Sequence, residues 1–268
     1  MLSRPSFRRP LLALATLASI LTNSRSEDPK LQPVQCRILC FERADDATEL
    51  VTWGARAGSE ATCPLSTTMP SDPVRIGAIN GVIRFFRKAA APAAGEGTAP
   101  AANAPAPLPQ PVAIATLPAN CDRALLLFVP EKQADGRLYN VVVIEEVSAT
   151  FPGGGAFVCN LYNSNVRFVV GEHKMQLGSR KVLHLPMPKQ RDDFNMATVA
   201  VQFEDNKGSW RTATETRLRF TQGLRQILVT FLDKTSGRPR LRTFTDTPPV
   251  PQPDPPAAGP PPAAPRAR

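Results

Sequence analysis

The stretch WRTATETRLRF, Trp210–Phe220, decides how the rest of the chain is read. Trp210, Thr212, Thr214, Thr216, Leu218 and Phe220 fall on one side of an extended strand. Arg211, Ala213, Glu215, Arg217 and Arg219 fall on the other. A period of two sustained this long marks a half-buried β-strand. Trp210 shares its side with Leu218 and Phe220, so it reads as a core aromatic.

The same grammar extends in both directions. Val34, Cys36, Ile38 and Cys40 alternate with Gln35, Arg37 and Leu39, and residues 197–204 alternate likewise. The runs LLLFVP (Leu125–Pro130) and VVVIEEV (Val141–Val147) are short and β-rich, which suits strands buried on both sides. No segment carries a helical repeat with caps. KQADGR, YNSN, GEHK, EDNKGS and DKTSGRP supply turns, so strands recur every ~8–12 residues.

Seven strands are expected before residue 148: Val34–Phe41, Thr48–Trp53, Pro73–Ile79, Gly81–Arg87, Pro111–Leu117, Arg123–Val129 and Leu138–Val147. A similar number is expected from Ala156 to Thr245. The expected fold is therefore all-β, with one or two immunoglobulin-like antiparallel β-sandwiches. Residues 34–150 form the first module and residues 151–245 the second. The stretch FPGGGAF (Phe151–Phe157) marks the boundary, because an alternating strand follows the glycines. A phosphate-binding glycine loop needs a helix N-terminus there.

Two segments stand apart. Residues 89–111 hold ten Ala and six Pro, and residues 246–268 hold ten Pro. Neither has an apolar face to bury. The first reads as a long loop between Gly81–Arg87 and Pro111–Leu117, or else as a linker. The second reads as a disordered tail.

The N-terminus has the order of a secretory signal. Arg4, Arg8 and Arg9 precede the apolar run Leu11–Thr22, and Ser24 and Ser26 stand before a cut at Glu27. Residues 1–26 are thus expected to form a cleaved signal helix. The apolar run is shorter than the ~20 residues of a membrane span. Export makes disulfides possible for Cys36, Cys40, Cys63, Cys121 and Cys159. Cys36 and Cys40 on one strand stand about 13 Å apart, whereas bridged Cα atoms lie within about 7 Å. Those two cannot bridge each other.

The sequence from the signal through FPGG, a strand ending Asn160-Leu161, a turn and VRFVVG (Val166–Gly171) resembles an uncharacterised group of exported bacterial proteins with immunoglobulin-like strands. The resemblance covers residues 120–245 and, more loosely, 34–120. It implies a fold and an exported location, and no site residues.

Catalytic signals are sparse. The two histidines, His173 and His184, lie near no GxSxG-type elbow. The acidic doublets Asp45-Asp46, Glu145-Glu146 and Asp192-Asp193 read as solvated surface. No cofactor or metal is expected. The most distinctive surface feature is basic: residues 217–242 carry seven Lys or Arg against Asp233 alone. Arg217, Arg219, Arg225, Arg240 and Arg242 are expected to share one face and to meet an anionic partner. Cell-envelope polyanions or another envelope protein fit that chemistry, and nucleic acid does not after export. The sequence thus points to an exported, non-enzymatic binding or structural protein of the cell envelope. The alternatives are an anionic-polymer binder that uses the Arg patch, or a carboxylate hydrolase.

Overall fold

A computed structural model describes residues 31–56, 58–88, 110–147, 151–205 and 207–248. The expected signal segment, most of the Ala/Pro-rich stretch and the tail beyond Pro248 lie outside the described residues. Among the described residues there is no helix; the chain forms sixteen strands in open sheets.

The first eight strands are β1 (Leu31–Cys40), β2 (Glu49–Trp53), β3 (Glu60–Pro64), β4 (Val74–Ile79), β5 (Val82–Arg87), β6 (Ala113–Thr116), β7 (Arg123–Pro130) and β8 (Tyr139–Glu145). The sequence reading misses β3, whose Glu60 and Pro64 mask the buried alternation of Ala61, Cys63 and Leu65. β1 lies between β4 and β7, and β8 lies beyond β7. β2, β3, β5 and β6 pair among themselves, and β4 turns into β5 at Asn80-Gly81. Both turn residues have positive φ, 52° and 74°, as a tight hairpin turn requires. The sheet folds over at this hairpin and its halves face each other across one core. Ile38, Ala124, Leu126 and Phe128 from one half meet Leu50, Cys63, Ile83 and Phe85 from the other. Phe85 and Phe128 pack edge to face at 5.0 Å. β5 and β6 pair antiparallel, so the Ala/Pro-rich stretch joins two neighbouring strands.

The remaining strands are β9 (Ala156–Asn160), β10 (Val166–Val170), β11 (His173–Leu177), β12 (Val182–Leu185), β13 (Met196–Glu204), β14 (Trp210–Arg219), β15 (Arg225–Asp233) and β16 (Arg238–Asp246). They form two sheets, β12-β9-β15-β16 and β11-β10-β13-β14, with Phe168, Val199, Val201, Phe220 and Leu228 between them.

The second half repeats the first with an offset of eight strands. β1 runs parallel to β7, and β9 parallel to β15. β4 and β8 flank the first pair antiparallel, as β12 and β16 flank the second. The orders β3-β2-β5-β6 and β11-β10-β13-β14 match as well. Only the β4–β5 hairpin has no counterpart, because residues 186–195 separate β12 from β13.

The two equivalent sheets pack back to back. Leu39, Phe41, Leu125, Leu127 and Ile144 meet Phe157, Cys159, Ile227, Val229 and Phe244. β1, β7, β9 and β15 are therefore covered on both sides. This explains why ALLLF and AFVC are continuous apolar runs, and why CRILC and ILVTF each hold a single polar residue, the buried Arg37 and Thr230. Each fully buried Phe in this layer contributes about 1.5–3 kcal/mol.

The connection between the halves is held closely. Phe151 is buried in the shared layer. Gly154 has φ 81° and donates its N–H to the Leu224 carbonyl at 2.7 Å. A Cβ on Gly153 would lie 2.1 Å from the Gln222 carbonyl oxygen. These glycines let two backbone segments touch, and Cys159 lies inside the strand that follows.

One expectation is corrected in β14. Val201 stands opposite Thr214, but Gln202 stands opposite Thr212, so Ala213 is an extra residue at a bulge. The bulge reverses the phase of the strand. Trp210 moves to the outer face, half-buried, with the Arg167 guanidinium 3.7 Å from its ring centre. It is not a core aromatic.

Candidate functional site

The back-to-back junction gathers charge from four distant strand ends. Arg37 lies on β1, Glu146 follows β8, Arg225 opens β15 and Asp246 closes β16. Arg225 stands directly opposite Asp246 in the β15–β16 ladder. The Glu146 N–H donates to the Arg123 carbonyl, which gives Glu146 the same place beside β7 that Asp246 has beside β15. The two halves thus bring equivalent acids to one junction, and two arginines bridge them. Arg37 donates from Nη1 to Glu146 Oε1 at 3.1 Å and from Nη2 to Asp246 Oδ1 at 2.6 Å. Arg225 donates from Nε to Asp246 Oδ2 at 2.8 Å and from Nη2 to Glu146 Oε1. No side chain of the four is more than 7% exposed. Arg225 also lies 4.2 Å from the centre of the Phe151 ring.

Burial by itself would lower the pKa of the Arg37 guanidinium. Its hydrogen bond to Asp246, with the charges of Asp246 and Glu146, outweighs burial and raises it above the ordinary arginine value. Desolvating four charges costs several kcal/mol per ion. The cost is offset only because each carboxylate meets two guanidinium donors in good geometry.

Two further arginines tie the halves together. Arg242 on β16 donates to the Phe41 carbonyl at 2.5 Å and the Thr67 carbonyl at 3.0 Å, while its guanidinium packs near the rings of Phe41 and Phe244. Arg180 forms a bidentate pair with Glu131 at 2.7 and 3.0 Å on the surface.

A cleft of about 210 Å³ opens beside the buried cluster, lined by Arg37, Asp246, Met69, Ser71 and Asp72 among others. Its inner polar groups hold one another. Arg37 Nε donates to the Ser71 carbonyl at 3.1 Å, and both Asp246 oxygens accept from arginine. Ser71 Oγ accepts the Ile38 N–H and donates to the Asp72 carbonyl.

The five arginines expected to share a face are dispersed. Arg225 is buried in the charge cluster, and Arg242 is half-buried between the two halves. Arg217 pairs with Asp192 at 2.6 Å and Arg240 with Asp233 at 3.0 Å, both on the surface. Arg219 is exposed on β14. β14 and β16 belong to different sheets.

The sequence reading also missed the acids of the junction. Glu146 is buried while Glu145 is half-exposed, so the doublet is not simply solvated surface. Asp246, assigned to the tail, is fully buried at the end of β16. An acid at the end of the apolar β8 is a signal that could have found Glu146, whereas Asp246 ends the mixed strand RPRLRTFTD and gives none.

The five cysteines are free and buried. Burial pushes the Cys63 and Cys159 thiols up to about 12 and Cys40 to about 11. Among the described residues, no group of three or more His, Cys, Asp or Glu side chains could hold a metal ion, and no helix is long and apolar enough to cross a membrane. No known family model matches the chain, and no curated protein matches it.

Proposed function

We propose that this chain is an exported, non-catalytic protein whose two immunoglobulin-like β-sandwich units act as one rigid binding or structural module at the cell envelope. The observation that carries the reading is the junction. An apolar layer and a fully paired buried charge cluster join the two repeats back to back. Such a junction presents loops and strand edges of two units in one fixed arrangement. The N-terminal order of Arg4, Arg8 and Arg9, an apolar run and Ser24-x-Ser26 supports export. Expression of the full chain in a bacterial host, with cell fractionation and mass spectrometry of the N-terminus, tests this. A mature product beginning at Glu27 outside the cytoplasm is expected. An unprocessed cytoplasmic product rules export out.

A second reading, binding of an acidic envelope polymer, is favoured by the exposed guanidiniums of Arg217, Arg219 and Arg240. Retention on an immobilised polyanion should then fall with salt and disappear in the Arg217/Arg219/Arg240→Ala variant, whose changes leave the junction intact. Retention indifferent to the three changes counts against it.

A further inference from the structure

The repeat exposes one sheet edge that its counterpart closes. In the first unit, β4 turns directly into β5, and Ile76 is bridged by Gly54. In the second unit, β12 occupies the position of β4 and pairs only with β9. The Asn160 N–H donates to the Lys181 carbonyl at 3.0 Å, so Lys181, Leu183 and Leu185 turn their backbone groups toward β9. Alternation turns the N–H and C=O of Val182 and His184 outward, where no hydrogen bond within the described residues takes them up.

This edge lacks the charge or proline that most of the other edges carry. β16, at the far side of the same sheet, carries Arg238 and Arg240; β14 carries Arg211, Arg217 and Arg219; β11 carries Lys174; β3 carries Glu60 and Pro64. Charge and proline on an edge discourage pairing with another chain. β8 has an uncharged centre, but its valines are partly buried against the two cores. β12 reads Val-Leu-His-Leu, and its Val182 and Leu183 are 42% and 40% exposed.

The surroundings state the chemistry of an occupant. Residues 173–191 contain Lys174, Arg180, Lys181, Lys189 and Arg191 and no Asp or Glu. Arg180 is engaged by Glu131, whereas Lys181 is exposed at the very start of the edge. The chain's own Pro-rich segments are poor candidates, because proline has no N–H for a ladder. We infer that the outer edge of β12 is a docking site for an extended, acidic segment of a partner protein, which adds as a fifth strand beside β12. The inference rests on the binding-module reading and names its interaction surface.

The test uses the mature chain, residues 27–268, with two labelled heptapeptides of alternating residues, Ac-EVEVEVE-NH2 and Ac-KVKVKVK-NH2. The acidic peptide should bind, more weakly as salt rises, and should slow amide exchange at Val182 and His184. The basic peptide should not. Val182→Pro should weaken binding roughly tenfold or more, equal to at least one decade in Kd. Lys181→Glu leaves the backbone intact and should weaken it in the same direction. Binding without protection at Val182 and His184, equal binding of both peptides, or no binding overturns the proposal. So does dimerisation through this edge that Val182→Pro abolishes, because the occupant would then be a second copy. Export is measured separately by fractionation, so either reading can fail without the other.

Discussion

Arg37 Nη2 lies 2.6 Å from Asp246 Oδ1, although 209 positions separate the two residues in the chain. The contact joins the first described strand to the last, and it does so inside the protein. Each half contributes one arginine and one acid, Arg37 with Glu146 and Arg225 with Asp246, and each arginine also reaches the acid of the other half. The two units are therefore parts of one folded body.

Asp246→Ala leaves Arg37 and Arg225 buried with Glu146 as their only acid. Removing one partner of a buried pair costs about 3–5 kcal/mol. Urea unfolding should show a loss of that order. Asp135→Ala breaks the exposed Arg137 pair and should leave the midpoint where it was.

His184 packs against Phe151 and Phe157 at ring distances of 5.5 and 5.2 Å. Burial lowers its pKa below the ordinary value; Glu145 opposes the shift and Arg225 reinforces it. The neutral ring is thus favoured in the fold, while the unfolded chain protonates near 6.5. Stability from this residue is complete above about pH 6.5 and is lost as pH falls through the lower folded value. Urea midpoints between pH 7.5 and 5 should fall on acidification, and His184→Gln should flatten that slope. An unchanged slope in the variant assigns the effect elsewhere.

All five thiols are buried, and the thiolate is the reactive form. The native protein at pH 8 should react with an aromatic disulfide reagent only as fast as it opens. In denaturant all five should titrate at once. Rapid native labelling of any one would show that its cover opens readily.

Gly153→Ala puts a methyl group against the Gln222 carbonyl, a fixed backbone atom. Overpacking of this kind costs about 1–3 kcal/mol, and the loss should appear as a lower thermal midpoint. Gly223→Ala, in the segment that Gly153 touches, meets open space at an ordinary φ and should be tolerated.

Much of the fold was legible locally. Alternation located β13 and β14, and short apolar runs located β7 and β8, because both patterns depend on how one strand meets its own surroundings. β3 escaped because Glu60 and Pro64 interrupt a five-residue signal. Trp210 was assigned to the wrong face because one extra residue in β14 reverses every side chain before it, and nothing in Ala213 announces a bulge. Among the five arginines, charge spacing gave no warning that Arg225 and Arg242 are committed to the junction.

By itself the sequence determined an all-β chain with a basic stretch at 217–242, since periodicity and composition are properties of neighbouring residues. Only the tertiary structure decided that the two halves repeat, that they stack through equivalent sheets, and that Arg37, Glu146, Arg225 and Asp246 meet. Those facts depend on strand pairing between remote segments. A carboxylate looks the same in the sequence whether water or a distant guanidinium will solvate it.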